Sequence, residues 1–366
     1  MTAKLKLFNQ EKLKLARTRR HLTKRKLAER AEVSALTLTR LEQGKNQPDA
    51  TTAKRLACVL KYPVEFFFGD ELEVITPNTV SFRGFTRMTA KERDAAVAAG
   101  SLGLYLSRWV EERFVLPENQ LLDLSHETDP EMAAEYLRQH WSLGNRPIGH
   151  MIQMLETYGV RVFSLSENTA SVDAFSFWYD NTPFIFLNNF KTAEHSVFDA
   201  AHELGHLVMH KRSNLRDSKS VEREANHFAS AFLMPRDDIL TRVSPLINVS
   251  TVLDSKTRWR VSALAFTYRL RKLNLISEWQ YKSICMKLGK LGYRSGEPGG
   301  IDPEESAIWP KVFSQFWSEK VTKQEIAEEL CLPIDELNGL VWGISKPKAD
   351  AASQSANRLR LIENSE

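Results

Sequence analysis

Cysteine is scarce: Cys58, Cys285 and Cys331 are the only three in 366 residues, and none belongs to a CxxC pair. That argues against a disulfide framework and a cysteine zinc knuckle, so any metal must be held by histidine and carboxylate. Long apolar runs are missing too. No 18 consecutive apolar residues occur, and the opening MTAKLKLFNQEKLKLARTRR is charged throughout, without the apolar stretch of a signal peptide. No membrane segment is expected, and the expected location is the cytoplasm. Hydrophobic residues at 42% and charged residues at 26% are ordinary globular values, which excludes wholesale disorder. A chain of this length should divide into two or three compact units.

Net charge is the first positive signal. Residues 1–61 hold 16 Lys/Arg against 5 Asp/Glu, whereas the remainder holds 34 against 41, so a basic end precedes an acidic body. The basic end is a candidate polyanion binder. Within it, Thr23 can cap one helix, Glu32-Val33 makes a turn, Ser34 caps a second helix and Gly44 stops it. Two short helices joined by about three residues make a helix-turn-helix. Leu27, Ala28, Ala31, Val33, Leu38 and Leu41 fall where such a pair buries side chains, which leaves Ala35, Leu36, Thr37, Thr39 and Arg40 on or near the face that would enter a major groove.

On these residues the segment resembles the Cro/repressor-type (Xre) helix-turn-helix family over roughly residues 8 to 69, with VEFFFG at 64–69 resembling its closing helix. The resemblance implies a buried pair between Arg17 and Glu42. It also implies a phosphate-holding residue at the start of the second helix, where Thr23-Lys24 stands in place of the usual Thr-Gln. Lys24, Arg25, Lys45 and Lys54 are then candidate phosphate contacts, which give affinity without sequence information. Arg40 is the candidate for reading a guanine, and Ala35, Leu36 and Thr39 for apolar contact with a thymine methyl. A homodimer on a double-stranded operator is expected, because paired units read two half-sites.

After a short linker, Thr89 and Glu92 form a capping box for a long helix to about Phe114, expected to separate the N-terminal unit from the rest of the chain. Helical segments near 129–140 and 147–158 precede three strands, VRVFSL (160–165), AFSFWYD (174–180) and TPFIFLN (182–188), the last two joined by a tight turn at Asn181. Directly after this small sheet comes FDAAHELGHLVMHK. Roughly one to two chains in a hundred of this composition would carry HExxH by chance, so context has to decide its meaning. On a helix, His202 and His206 project from one face and can hold a metal ion, while Glu203 lies one residue round, placed to take a proton from metal-bound water.

A third ligand is needed. Met209 and Arg212 stand where a metzincin would have its glycine and third histidine. VEREANHFASAFLMP (221–235) instead offers a helix ended by Pro235, with Glu222 and Asn226 on one face. Glu222 is the expected gluzincin-like ligand and Asn226 a partner orienting one histidine; Glu224 is a rival ligand. His210 continues the i+4 ladder in a structural role, as a fourth contact or as a transition-state donor. His195 and His227 read as ordinary surface or packing residues.

DAFSFW, FIFLN, AHELGHLVMH and EREANHFASAFLMP together resemble the ImmA/IrrE-type zinc metallopeptidase family across about residues 120 to 240. His195 departs from that pattern, since relatives commonly have arginine there. The resemblance implies zinc as cofactor and a bacterial, site-specific protease whose relatives cleave repressors, in some cases with an Xre domain in the same chain. The protein substrate or partner would be the chain itself, a repressor or a toxin. An extended peptide could add to the sheet edge beside the histidine helix.

The expected architecture is multidomain. An all-α helix-turn-helix domain at 1–70 is followed by a linker and connecting helix at 71–118, an α+β zincin-like domain at 119–295 and a small helical unit at 296–366. A weak internal repeat appears in that last unit: KRKLAERAEVSALTLTRL (24–41) and KQEIAEELCLPIDELNGL (323–340) share apolar positions at a constant offset. The second copy is acidic and should repel phosphate, which favours protein contact over DNA. Taken together, these features lead to the expectation of a DNA-binding regulator, a repressor of its own operon and nucleoid-associated when bound, with a zinc metalloendopeptidase linked to a signal. An antitoxin-like or sensory repressor that binds a partner or ligand without much cleavage is the competing expectation.

Overall fold

The computed structural model describes residues 7–69, 72–75, 80–82, 89–165, 173–188, 191–211 and 218–341. Linker positions 76–79 and Trp342 lie outside them. The N-terminal helices are α1 (Gln10–Arg19), α2 (Lys24–Arg30), α3 (Ala35–Glu42) and α4 (Ala50–Leu60). Asn9, Thr23, Ser34 and Asp49 cap them, each accepting backbone N–H groups that the first turn leaves unpaired. Leu27, Ala28, Leu38, Leu41, Leu56 and Leu60 fill the core. The expected closing segment is a 3-10 turn, Val64–Phe67, that buries Phe66 and Phe67.

A strand β1 (Val80–Phe82) comes next, then the long helix α5 (Ala90–Glu111) with its Thr89–Glu92 capping box. Helices α6 (Pro130–His140) and α7 (Met151–Thr157) lead into β2 (Arg161–Leu165), β3 (Ala174–Tyr179) and β4 (Thr182–Asn188). The sheet has the order β1-β3-β4-β2, with β2 parallel to β4 and the other pairs antiparallel. The β3–β4 hairpin turns through Asp180 and Asn181, both left-handed, as a tight two-residue loop requires. The linker thus contributes a strand that alternation of residues did not signal.

Period-two alternation gives the sheet two unlike faces. Phe163, Phe175, Phe177, Phe184 and Phe186 stack on one of them, with Phe175 and Phe186 centroids 4.6 Å apart. Against this aromatic face lies α5. A Cβ at Gly103 would come within 2.4 Å of Phe186 and one at Gly100 within 3.4 Å of Phe175, so small residues in AAGSLG let the helix approach. The opposite face packs on α8 (Ala193–Met209), which is backed by α9 (Ser218–Leu233). Sequence reasoning makes α5 a spacer between two units. Instead it is shared: α1 packs on it, the sheet packs on it, and one continuous apolar core runs through all three.

Beyond α9 come α10 (Arg236–Arg242), α11 (Val249–Lys256), α12 (Ala263–Lys272) and α13 (Glu278–Lys290). Arg269 of α12, fully buried, donates to the Met234 carbonyl at 3.0 Å and so satisfies the end of α9. Last are α14 (Ile308–Ser318), α15 (Lys323–Glu329) and α16 (Ile334–Val341). Helices α15 and α16 reproduce α2 and α3 at an offset of 299 residues at every helix boundary. The turns match as well. Glu32 and Cys331 have φ of 53° and 52°, and Val33 N–H donates to Ala28 as Leu332 N–H donates to Ala327. The C-terminal pair is a second helix-turn-helix in shape.

Candidate metal centre and nucleic-acid interface

Helix α8 starts at Thr192, whose hydroxyl caps it and also meets His195 Nδ1 at 2.9 Å. His195 is therefore a partner of the cap. Along α8, His202, Glu203 and His206 are buried. Glycine at position 205 matters for packing, because a Cβ there would come within 2.9 Å of Phe228 on α9. The close approach of α8 and α9 at this point brings Glu222 over the two histidines. Ala225, Phe228, Ala229, Phe232 and Leu233 line the buried face of α9, as its spacing predicts.

His202 Nε2 and His206 Nε2 lie 3.0 Å apart, and the two oxygens of Glu222 lie 3.3 Å from one and from the other. Among the described residues these three form the cluster of ligand atoms able to share an ion, all within 4.8 Å of one another. Two nitrogens bound to one tetrahedral zinc at about 2.0 to 2.1 Å would be about 3.3 Å apart, so the donor set fits such an ion. Burial raises the Glu222 carboxyl, but hydrogen bonds from both histidines outweigh it and hold the group well below the usual carboxylate range. Glu222 is thus a carboxylate at any ordinary pH.

Glu203 faces the sheet. Ser176 of β3 donates its hydroxyl to Glu203 Oε2 at 2.6 Å, fixing the carboxylate from below. Sequence reasoning misses this residue. Its signal is the lone aliphatic hydroxyl within AFSFWY, on the strand face opposite Phe175 and Phe177.

Two expectations are corrected. Asn226 does not reach a histidine; its Nδ2 donates to the Glu222 carbonyl at 2.8 Å, one turn back on its own helix, an acceptor close at hand for a half-buried amide at i+4. The histidine contact comes instead from Glu224, which meets His210 Nε2 at 3.0 Å, and His210 Nδ1 in turn meets His206 Nδ1 at 3.1 Å. His227 pairs with Glu131 at 3.2 Å, away from the trio. The second correction concerns the sheet edge. On the β3 side it is taken by β1, with Ser81 directly opposite Ser176, so an extended peptide meets the chain's own strand there. The outer strand on that side is therefore β1, only three residues long, and short edge strands limit unwanted pairing. A cleft of about 670 Å³ opens between α9 and α12, with Phe198, Glu224, Asn226, Leu264 and Tyr268 in its walls; it shares α8 and α9 with the trio, but His202, His206 and Glu222 do not line it.

In the N-terminal unit, Arg17 Nε donates to Glu42 Oε1 at 2.5 Å, tying α1 to the end of α3 as the resemblance implies. Lys24 also reaches Glu42, at 3.1 Å. Exposed together on the outside are Arg25, Ala35, Leu36, Arg40, Lys45 and Lys54, with Lys24 beside them and Thr39 half-buried, its hydroxyl bonded to the Ala35 carbonyl. Leu36 is 60% exposed, on the side of α3 that the sequence assigns to the groove.

Two family models match. One describes a helix-turn-helix and covers residues 13–67; the other describes an IrrE N-terminal-like domain and covers residues 155–271. This chain joins an Xre-type helix-turn-helix to an ImmA/IrrE-like domain. No curated protein matches the chain. The match to the IrrE-like domain runs from the end of α7 to α12, so it contains β2–β4 of the sheet, α8, α9 and the cleft wall. Strand β1 and helices α5 and α14–α16 lie outside both matches, and of these α5 and α16 meet both the helix-turn-helix and the sheet. No helix among the described residues is long and apolar enough to cross a membrane.

Proposed function

We propose that the protein is a DNA-binding transcriptional regulator, a repressor, whose IrrE-like domain is a zinc-dependent endopeptidase. The observation that carries this reading is the convergence of His202, His206 and Glu222 with Glu203 held one residue away by Ser176. A bound zinc would supply Lewis acidity and lower the pKa of a bound water to about 7. The protein's own groups would do the rest: two neutral imidazoles and Glu222 would hold the ion, and Glu203 would serve as the base that takes up a proton from water and as the acid that returns it to the departing amine. Ser176 keeps Glu203 aimed, and the cleft beside Asn226 receives side chains of an extended substrate.

The helix-turn-helix acts as a dimer on paired half-sites. Lys24, Arg25, Lys45 and Lys54 neutralise phosphates, Arg40 reads a base edge, and Ala35, Leu36 and Thr39 line the groove. A protein substrate, either this chain or a regulator, is met in the cytoplasm, and its cleavage relieves repression.

A second reading is favoured by one specific feature, the burial of the site together with the strand β1 across the sheet edge. In it the protein is a sensory or antitoxin-like repressor that binds metal and a partner but cleaves little. Zinc content and a Glu203→Gln comparison separate the two. Catalysis requires that Glu203→Gln keep its metal while losing hydrolysis and derepression. Unchanged derepression with metal retained would favour the sensor.

A further inference from the structure

We propose that His210 and Glu224 are positioning residues for the metal site, forming a one-way hydrogen-bond relay that fixes the tautomer and ring angle of His206. The inference rests on the metal-binding reading above and extends it to residues one turn beyond the ligands.

His206 turns Nε2 toward His202 and Glu222, so ligation through Nε2 places the ring proton on Nδ1. That Nδ1 lies 3.1 Å from His210 Nδ1. Two ring nitrogens can share a hydrogen bond only when one of them is bare, so His210 accepts at Nδ1 and carries its own proton on Nε2. His210 Nε2 then donates to Glu224 Oε2 at 3.0 Å, and Glu224 Oε1 accepts from Ser220 Oγ at 3.0 Å. Each bond sets the direction of the next. The side chains of His206 and His210 are each 2% exposed, so a bond lost there is not replaced by bulk water.

Helix geometry explains why Glu224 does this and Glu222 does not. The two are two positions apart on α9 and point to different sides. Glu222 faces the pair of Nε2 atoms, while Glu224 reaches the end of α8, where His210 stands one turn past His206. Partners of ligating histidines commonly set ligand basicity and orientation, and losing one typically costs 10–100-fold in metal affinity.

The rival account makes His210 a packing residue at the end of α8. Chelator competition on the full chain, with zinc and with cobalt, decides between them. Under the relay, His210→Leu and Glu224→Leu weaken metal binding by about 10–100-fold and shift the cobalt visible spectrum. His210→Gln restores most of the affinity, since its amide accepts at Oε1 and donates at Nε2 as the neutral ring does. Thermal midpoints of the metal-free variants separate this effect from misfolding. The relay is overturned if His210→Leu binds metal like the parent protein, or if His210→Leu and His210→Gln lose affinity equally in step with metal-free stability. A parent protein that binds no stoichiometric metal would overturn the metal-site reading itself, whereas tight parent binding with unaffected variants removes the relay alone.

Discussion

Ser176 is a small residue with a large leverage. Its hydroxyl bonds a carboxylate proposed to move protons, and a charge-assisted bond of this kind contributes more than a neutral one. Ser176→Ala should lower turnover by about tenfold, equivalent to about 1.4 kcal/mol, with metal content and KM little changed. Peptide kinetics beside metal analysis check this. On the DNA side, Arg40 and Arg25 are both exposed but are assigned different tasks. Arg40→Ala should relax operator preference by about 1–3 kcal/mol at one base position. Arg25→Ala should weaken all sequences alike and reduce the salt slope by about 1. Binding titrations on operator and random DNA at several salt concentrations distinguish the two, and equal losses on both DNAs for both variants would reject the assignment. Much of this scale was legible in the sequence, because helical spacing alone puts His202 beside His206. Ser176 was not, because its contact spans a strand and a helix.

At the scale of elements, packing decides what propensity leaves open. The approach of α8 to α9 at Gly205 places Glu222, and Pro235 follows the end of α9, where Arg138 donates to the Phe232 carbonyl and Arg269 to that of Met234. The docking of α14 depends on another buried carboxylate. Glu156 of α7 accepts from the backbone N–H of Ala307 at 2.6 Å and Ile308 at 3.3 Å and from the Ser306 hydroxyl. Burial raises its carboxyl to about 7, only partly offset by those bonds. A carboxyl raised in the folded state contributes stability that is full below about 4.5 and is lost as pH rises through about 7, because the unfolded chain then ionises more readily. Stability should therefore decline across that window by at most about 3 kcal/mol, and Glu156→Gln should flatten the decline. Thermal midpoints between pH 4.5 and 8 measure it. The elements themselves were read well from sequence, including β4 to the residue, whereas β1 was read as linker. A three-residue strand has too few positions for alternation to show.

The whole molecule is held together by its second helix-turn-helix. In α3 the positions of Leu36 and Thr37 lie on the outer side; their counterparts at the same offset in α16 are Asp335 and Glu336, and these are spent internally. Glu336 bonds Arg19 at 2.9 Å and accepts from the Tyr62 hydroxyl at 2.8 Å, and Asp335 bonds Arg20 at 2.5 Å. On the other side Ser164 of β2 donates to the Gly339 carbonyl at 2.7 Å. The acidic copy thus bridges the IrrE-like sheet and the DNA-binding helices, which accords with an acidic surface seeking protein and avoiding phosphate. Both Arg19 and Glu336 are buried, so losing one partner strands the other charge. Glu336→Leu should cost about 3 kcal/mol or more, while the double replacement Arg19→Met with Glu336→Leu recovers much of it. Denaturant midpoints of the single and double variants test the coupling; additive losses would show that the bridge is not a pair.

By itself the sequence determined the chemistry of the parts: a basic helix-turn-helix, an HExxH helix, a second helix offering Glu222, and a diluted repeat of acidic sign. These are local, since helical and strand periods repeat within a few residues and capping residues announce themselves. Tertiary structure decided what meets what. It put Ser176 under Glu203, turned Asn226 away and Glu224 toward His210, laid β1 along the sheet, and made α5 and α16 shared supports where a spacer and a separate unit were expected. Contacts between residues distant along the chain are set by how whole faces pack, and no local pattern carries that information.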